Sequence, residues 1–187
     1  MKKRKFKLFA SLTSLVLVVA VMAVGVWAAS SATATISGTV GLTAVGNVNA
    51  TIQAAEGTKS NVATATGLNT AAVSIATSAN SGELALGTIS LTATEGLASD
   101  AAISYSVVVT ITNAWTEGQG GELNNLKVEA TAITGVTLGF TSGDVLEPGE
   151  NTTVTFTWTG TAGSSTLTQN PLGSAFTVTL TAVKAAA

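Results

Sequence analysis

The feature that most limits what this chain can fold into is a period of two. From Ala34 to Ala44 the even positions read Ala34, Ile36, Gly38, Val40, Leu42 and Ala44, and Thr35, Ser37, Thr39, Gly41 and Thr43 lie between them. Successive strand side chains point to opposite faces, so this alternation marks a half-buried β-strand. The pattern recurs at Val48 to Ala54, Ile103 to Thr112, Leu126 to Ala132, Val154 to Thr159 and Phe176 to Ala182. Shorter runs centre on Val73 and Ile75, on Ile89, Leu91 and Ala93, and on Val136, Leu138 and Phe140. No segment after the N-terminal region carries a convincing helical period.

Turn chemistry separates the runs. Val45-Gly46-Asn47 reads as a tight turn, and Leu146-Glu147-Pro148-Gly149-Glu150 reads as a type II turn with Pro second and Gly third. Glu56 to Ala72 reads as a polar loop holding at most one weak strand, and Asn113 to Asn125 and Gly160 to Ser174 read as long connections. Eight to ten short strands, each with one apolar face, predict an all-β fold. Two antiparallel sheets packed face to face, an Ig-like or jelly-roll-like β-sandwich, bury those faces against one another. A closed barrel is the alternative.

The N-terminus is of another kind. Lys2, Lys3, Arg4, Lys5 and Lys7 precede an apolar core from Leu15 to Ala29 that ends in small residues. A basic start, a short apolar run and a small-residue exit describe a secretory signal, residues 1–29, cut between Ala29 and Ser30, with a cut one residue earlier or just after Ala32 or Ala34 as the alternatives. A retained anchor is the other reading, because Leu8 to Ala29 approaches the roughly 20 apolar residues of a spanning helix. With the signal removed, residues 30–45 form an N-terminal strand and residues 46–187 the sandwich domain. The remaining chain holds three lysines against ten acids, a net charge of −7. That balance argues against a nucleic-acid partner, and contact with a membrane is expected only through the signal before cleavage.

The chemical inventory is small. The chain has no histidine and no cysteine. Ser-His-Asp and Cys-His nucleophile arrangements are therefore impossible, as are zinc sites built on those ligands. Asp144, Glu147 and Glu150 cluster around the Pro-Gly turn, where carboxylates suit either a hard cation or a solvated turn. Glu117 and Glu122 flank a Gly-rich loop beside Trp115, without an aromatic cleft around them. Lys127 alternates with Leu126 and Val128 and is expected to face solvent. Trp158 and Tyr105 are in phase with core positions, and Trp115 lies just past a strand end. No enzyme, cofactor or metal site is expected.

Gly25-Val26-Trp27-Ala28-Ala29 resembles the end of the SipW-type signal of the TasA and camelysin family of bacterial matrix proteins. Leu146 to Glu150 before a Thr-rich strand resembles the Pro-Gly turn of the same sandwiches. The resemblance implies an extracellular fibre in which the strand exposed by cleavage completes a neighbour's sheet. This chain departs from the family in carrying Ser30-Ser31-Ala32-Thr33 where aromatic and acidic residues often follow the cut. A zinc protease activity does not carry over, since no histidine is present.

These readings converge on a secreted, cell-surface structural protein that self-associates into a homopolymer, a filament or biofilm-matrix fibre assembled by donor-strand complementation. Ala34, Ile36, Val40, Leu42 and Ala44 would be the assembly strand. Two alternatives stand beside it. The strand pairs instead in a hairpin with Val48 to Ala54, or the protein is a secreted module that binds carbohydrate or a host protein, with Trp115 as a stacking platform.

Overall fold

The computed structural model describes residues 33–76, 81–119, 121–173 and 175–184. The expected signal segment and its cut between Ala29 and Ser30 lie outside the described residues. The described chain is all β. In order the strands are β1 (Thr33–Val45), β2 (Ala50–Ser60), β3 (Val62–Leu68), β4 (Val73–Ile75), β5 (Ser81–Ala93) and β6 (Ala102–Asn113). They continue with β7 (Asn125–Ala130), β8 (Val136–Leu138), β9 (Asp144–Leu146), β10 (Asn151–Thr161), β11 (Leu167–Gln169) and β12 (Phe176–Val183).

The strands form two sheets. One has the order β3-β5-β1-β12-β7-β9; the other has the order β11-β10-β6-β2-β4, with β8 also paired to β10. Every pairing among the described strands is antiparallel except that of β1 with β12. The inner faces meet in one apolar core, and the sandwich expected from the alternation is what forms. Ile103, Tyr105, Val107, Val109 and Ile111 of β6 are all buried, as are Val154, Phe156 and Trp158 of β10. Phe156 bridges the two sheets by an edge-on contact with Phe176 of β12, centroids 5.2 Å apart, and packs beside Trp158 at 6.2 Å. The Trp158 indole N–H donates to Asn170 Oδ1 at 2.9 Å, which satisfies the one polar group of a fully buried side chain.

A buried asparagine ties the sheets together at one end. The Asn113 side-chain amide donates to the carbonyls of Asn124 (2.9 Å) and Leu146 (3.0 Å), and its Oδ1 accepts from the Trp115 N–H (3.2 Å). Its backbone exchanges hydrogen bonds with the Pro-Gly turn, donating to Glu150 O and accepting from Gly149 N. That turn has the predicted geometry: Gly149 sits at φ +83° and the Glu150 N–H donates to Glu147 O.

Three expectations need correction. β1 pairs within its own chain, but its neighbours are β5 and β12; Val48 to Ala54 is not its hairpin partner and lies in the opposite sheet. The physical reason is the turn at Gly46 (φ +83°), where the Val48 N–H donates to Gly46 O and the chain crosses the core instead of folding back in the same plane. The polar stretch from Glu56 to Ala72 contains the end of β2, all of β3 and no long loop before Leu68. Its strands rest on main-chain ladders to β6 and β5, and their side chains are mostly exposed, so no apolar alternation announces them. Finally, twelve strands form among the described residues, because β9 is a three-residue piece at the entry to the Pro-Gly turn and β11 one within the stretch from Gly160 to Ser174 read as a connection.

The core's facing can be checked by mutation. Trp158→Ala should lower unfolding free energy by about 3–5 kcal/mol through lost burial and a residual cavity. Thr157→Ala, on the outer face, should cost under about 1 kcal/mol; urea unfolding of the two variants measures the difference. A pH dependence follows from the same strands. Burial, helped by the Glu56 charge, pushes the Tyr105 hydroxyl from 10.0 up to about 12. A group held protonated in the folded state contributes stability that is complete below pH 10.0 and is lost as pH rises to about 12. Tyr105→Phe should remove that component of the alkaline stability loss, read as a flatter slope of unfolding free energy between pH 10.0 and about 12.

Candidate assembly interface: the lane of the N-terminal strand

β1 begins at the first described residue and yet lies in the middle of its sheet. On one side it runs antiparallel to β5, with Ala34 opposite Leu91, Ile36 opposite Ile89 and Val40 opposite Leu84. On the other it runs parallel to β12, with Val40 beside Phe176, Leu42 beside Val178 and Ala44 beside Leu180. Ala34, Ile36, Val40, Leu42 and Ala44 all point into the core and are buried to within a few per cent. The structure therefore brings the five predicted assembly residues onto one face, packed against apolar residues of the two flanking strands.

The lane is formed entirely by elements distant in sequence. Residues 46–49 alone connect β1 to the next strand. The ladder to β5 shifts register between Ser37 and Thr39, where Leu86 and Gly87 take up an extra residue on β5, and Gly87 sits at φ +80°. This bulge explains why the buried set of β5 changes parity from Leu84 and Leu86 to Ile89, Leu91 and Ala93. The outer face of β1 shows Thr33, Thr35, Ser37, Thr39 and Thr43 to solvent.

The other candidate residues have structural roles. Asp144 Oδ2 accepts from the Thr141 N–H (2.8 Å) and Glu150 Oε2 from the Glu147 N–H (2.9 Å), so both carboxylates close their own turns. No group of three or more potential metal ligands forms among the described residues. Glu122 pairs with Lys184 at 3.1 Å on the surface, and Lys127 with Glu129 at 2.8 Å on the outer face of β7. Trp115 is half-buried with its backbone held by Asn113, and Glu117 is exposed beyond it. The sequence alone does not show the partners of β1. The alternation of Phe176, Val178 and Leu180 identifies a strand, but nothing in it specifies a parallel neighbour 136 residues away, as Val40 and Phe176 are numbered.

No family model, curated protein or solved structure matches this chain.

The lane's apolar lining yields a facing test. Val40→Asp should bury an unpaired carboxylate between Leu84 and Phe176 and destabilise by several kcal/mol or prevent folding. Thr39→Asp, pointing outward, should stay within about 1 kcal/mol of the parent; thermal melts of the two distinguish them.

Proposed function

We propose that this protein is an extracellular structural subunit that polymerises by exchanging β1 between copies. The observation that carries this reading is the contrast between the place of β1 in the chain and its place in the sheet. It is the first described strand, joined to the rest by one short connection, and it is hydrogen-bonded on both edges. Once the expected cut has freed its N-terminal end, such a strand can leave without unthreading any other element. Its departure opens a lane between β5 and β12 with two unpaired edges and an apolar floor, and the β1 of a second copy fits that lane by the same contacts.

Such exchange is strand addition by main-chain hydrogen bonds, with alternate side chains filling pockets. Each copy gives one strand and receives one, so the contact is head-to-tail and builds an open filament when the rotation does not close. The expected cut at Ala29-Ser30 would free the strand only three residues before Thr33. The resemblance to secreted matrix-fibre subunits points the same way, and a net charge of −7 after the cut keeps the unassembled form soluble.

The chain's lack of cysteine makes exchange directly readable. Thr35 of β1 faces Ser90 of β5 across an antiparallel pair, a separation that a disulfide can bridge. Mature chains from Ser30 carrying Thr35→Cys should be mixed with chains carrying Ser90→Cys and allowed to assemble. We expect filaments in negative stain that contain disulfide-linked pairs of the two variants under oxidising conditions. Filaments without such pairs would overturn strand exchange. A protein that stays monomeric by light scattering and binds glycans through Trp115 would overturn the structural role and favour the binding module.

A further inference from the structure

β1 departs from its own apolar parity once. Position 38 belongs to the core-facing set with Ala34, Ile36, Val40, Leu42 and Ala44, but it is glycine. The space where its side chain would stand is occupied. A Cβ built on Gly38 would lie 2.8 Å from Leu172 Cβ and 2.9 Å from Leu172 Cδ1, closer than real side chains approach. Leu172 packs against the core from the turn between β11 and β12, so a knob on that turn fills a hole in β1.

The knob is fixed firmly. Asn170 Oδ1 accepts from the Leu172 N–H (3.2 Å), and Asn170 O accepts from the Gly173 N–H (3.1 Å) across Pro171, which is itself buried. The same Oδ1 accepts from the Trp158 indole. A turn held by its own Asx and Pro geometry, and tethered to the largest core side chain, gives little under load. A second close approach lies three residues along β1 on the outer face, where a Cβ on Gly41 would meet Thr177 Oγ1 at 3.0 Å.

We infer that Gly38 and Leu172 form a hole-and-knob pair that sets the register of β1 in its lane and restricts the lane to strands lacking a side chain at that position. The need for such a device follows from the sequence. A strand of alternating small apolar residues and threonines offers similar faces at every two-residue step, so the alternation specifies its register only weakly. A slip of two residues keeps the apolar face inward but carries Ile36 or Val40 under Leu172, where no space exists. As an identity of the occupant, this rests on the exchange reading: the partner it selects is the β1 of another copy of this chain.

Complementary variants test it with the full mature chain. Gly38→Val should fill the hole and Leu172→Ala should remove the knob. We expect Gly38→Val alone to lose most sedimentable polymer, about tenfold or more, and to melt lower as a monomer. Joining Gly38→Val and Leu172→Ala in one chain should restore melting and assembly towards the parent. In mixtures, Gly38→Val chains should enter filaments with Leu172→Ala chains, whose lanes have room for the bulkier strand, at several times the level reached with parent chains; intact mass of the pellet reads this. If the double variant melts no higher than Gly38→Val, the hole-and-knob pair is wrong. If the double variant recovers its melting point but the mixture shows no enhanced incorporation, the pair sets register within one chain and strand exchange falls.

Discussion

The two hydrogen-bonded ladders of β1 are the constraint on which the first sheet depends. Without β1, β5 and β12 face each other across a gap of about two strand spacings, near 10 Å, and the sheet divides into β3-β5 and β12-β7-β9. The residues that fill the gap are small: Ala34, Gly38 and Ala44 alternate with only three larger side chains on the core face. Those three are fully buried, and burial at roughly 25 cal/mol per Å² contributes about 1.5–3 kcal/mol for each. The pairing of its backbone groups on both sides holds β1 as well, since those groups would otherwise sit unsatisfied beside a dry core. The main-chain part of that retention is indifferent to side-chain identity, and the close approach of Leu172 at Gly38 is a geometric restriction beside it.

How much of this was legible in the sequence depended on where each strand lies. β1, β6, β10 and β12 have one face in the core, so their side chains alternate strictly and their facing was readable, down to Tyr105 and Trp158 inside. The end of β2 and all of β3 lie near the margins, where Glu56, Lys59, Thr64 and Thr66 need not be apolar; only the ladder defines them. β9 and β11 are too short for any period to register. The parity change in β5 is set by Gly87 at positive φ, which a count of alternate residues cannot anticipate. Pairing was the least legible level. Ala34, Ile36, Val40, Leu42 and Ala44 do share one buried face, but adjacency in sequence suggested β2 as partner, whereas the lane is built from strands about fifty and more than a hundred residues away.

The connection after β1 bears on the balance between filling one's own lane and filling a neighbour's. The core and ladder contacts are the same in both cases, so the difference lies in the hinge and in concentration. A short linker gives the chain's own strand an effective concentration in the millimolar range. Four residues from Gly46 to Asn49 turn the chain across the core, with Gly46 in the left-handed region and one tight Val48-to-Gly46 hydrogen bond. Under the proposed export, with the expected cut freeing the N-terminal end of β1, a crowded surface is the setting in which the intermolecular alternative competes best.

The margins of both sheets bear on how readily copies of this chain associate by simple edge pairing. β4, β8, β9 and β11 are three residues each, which offers an incoming strand almost no ladder. β3 is longer, but its pairing with β5 shifts register at both ends, between Val62 and Thr64 and between Thr66 and Leu68, and Gly67 sits at φ +92°. The stretch of β2 beyond its three residues paired to β4 carries the Glu56–Lys59 ion pair and another register shift against β6. Short strands, bulges and charges are the devices that keep exposed edges from templating one another. Among the described strands, a fold that blunts its margins in these ways and places its first described strand in the interior keeps its long, regular and apolar-floored pairing surface inside the sheet. Under the proposed exchange, that surface becomes available to a neighbour only when β1 is given up, so growth is coupled to donation and uncontrolled edge-to-edge association has little to build on.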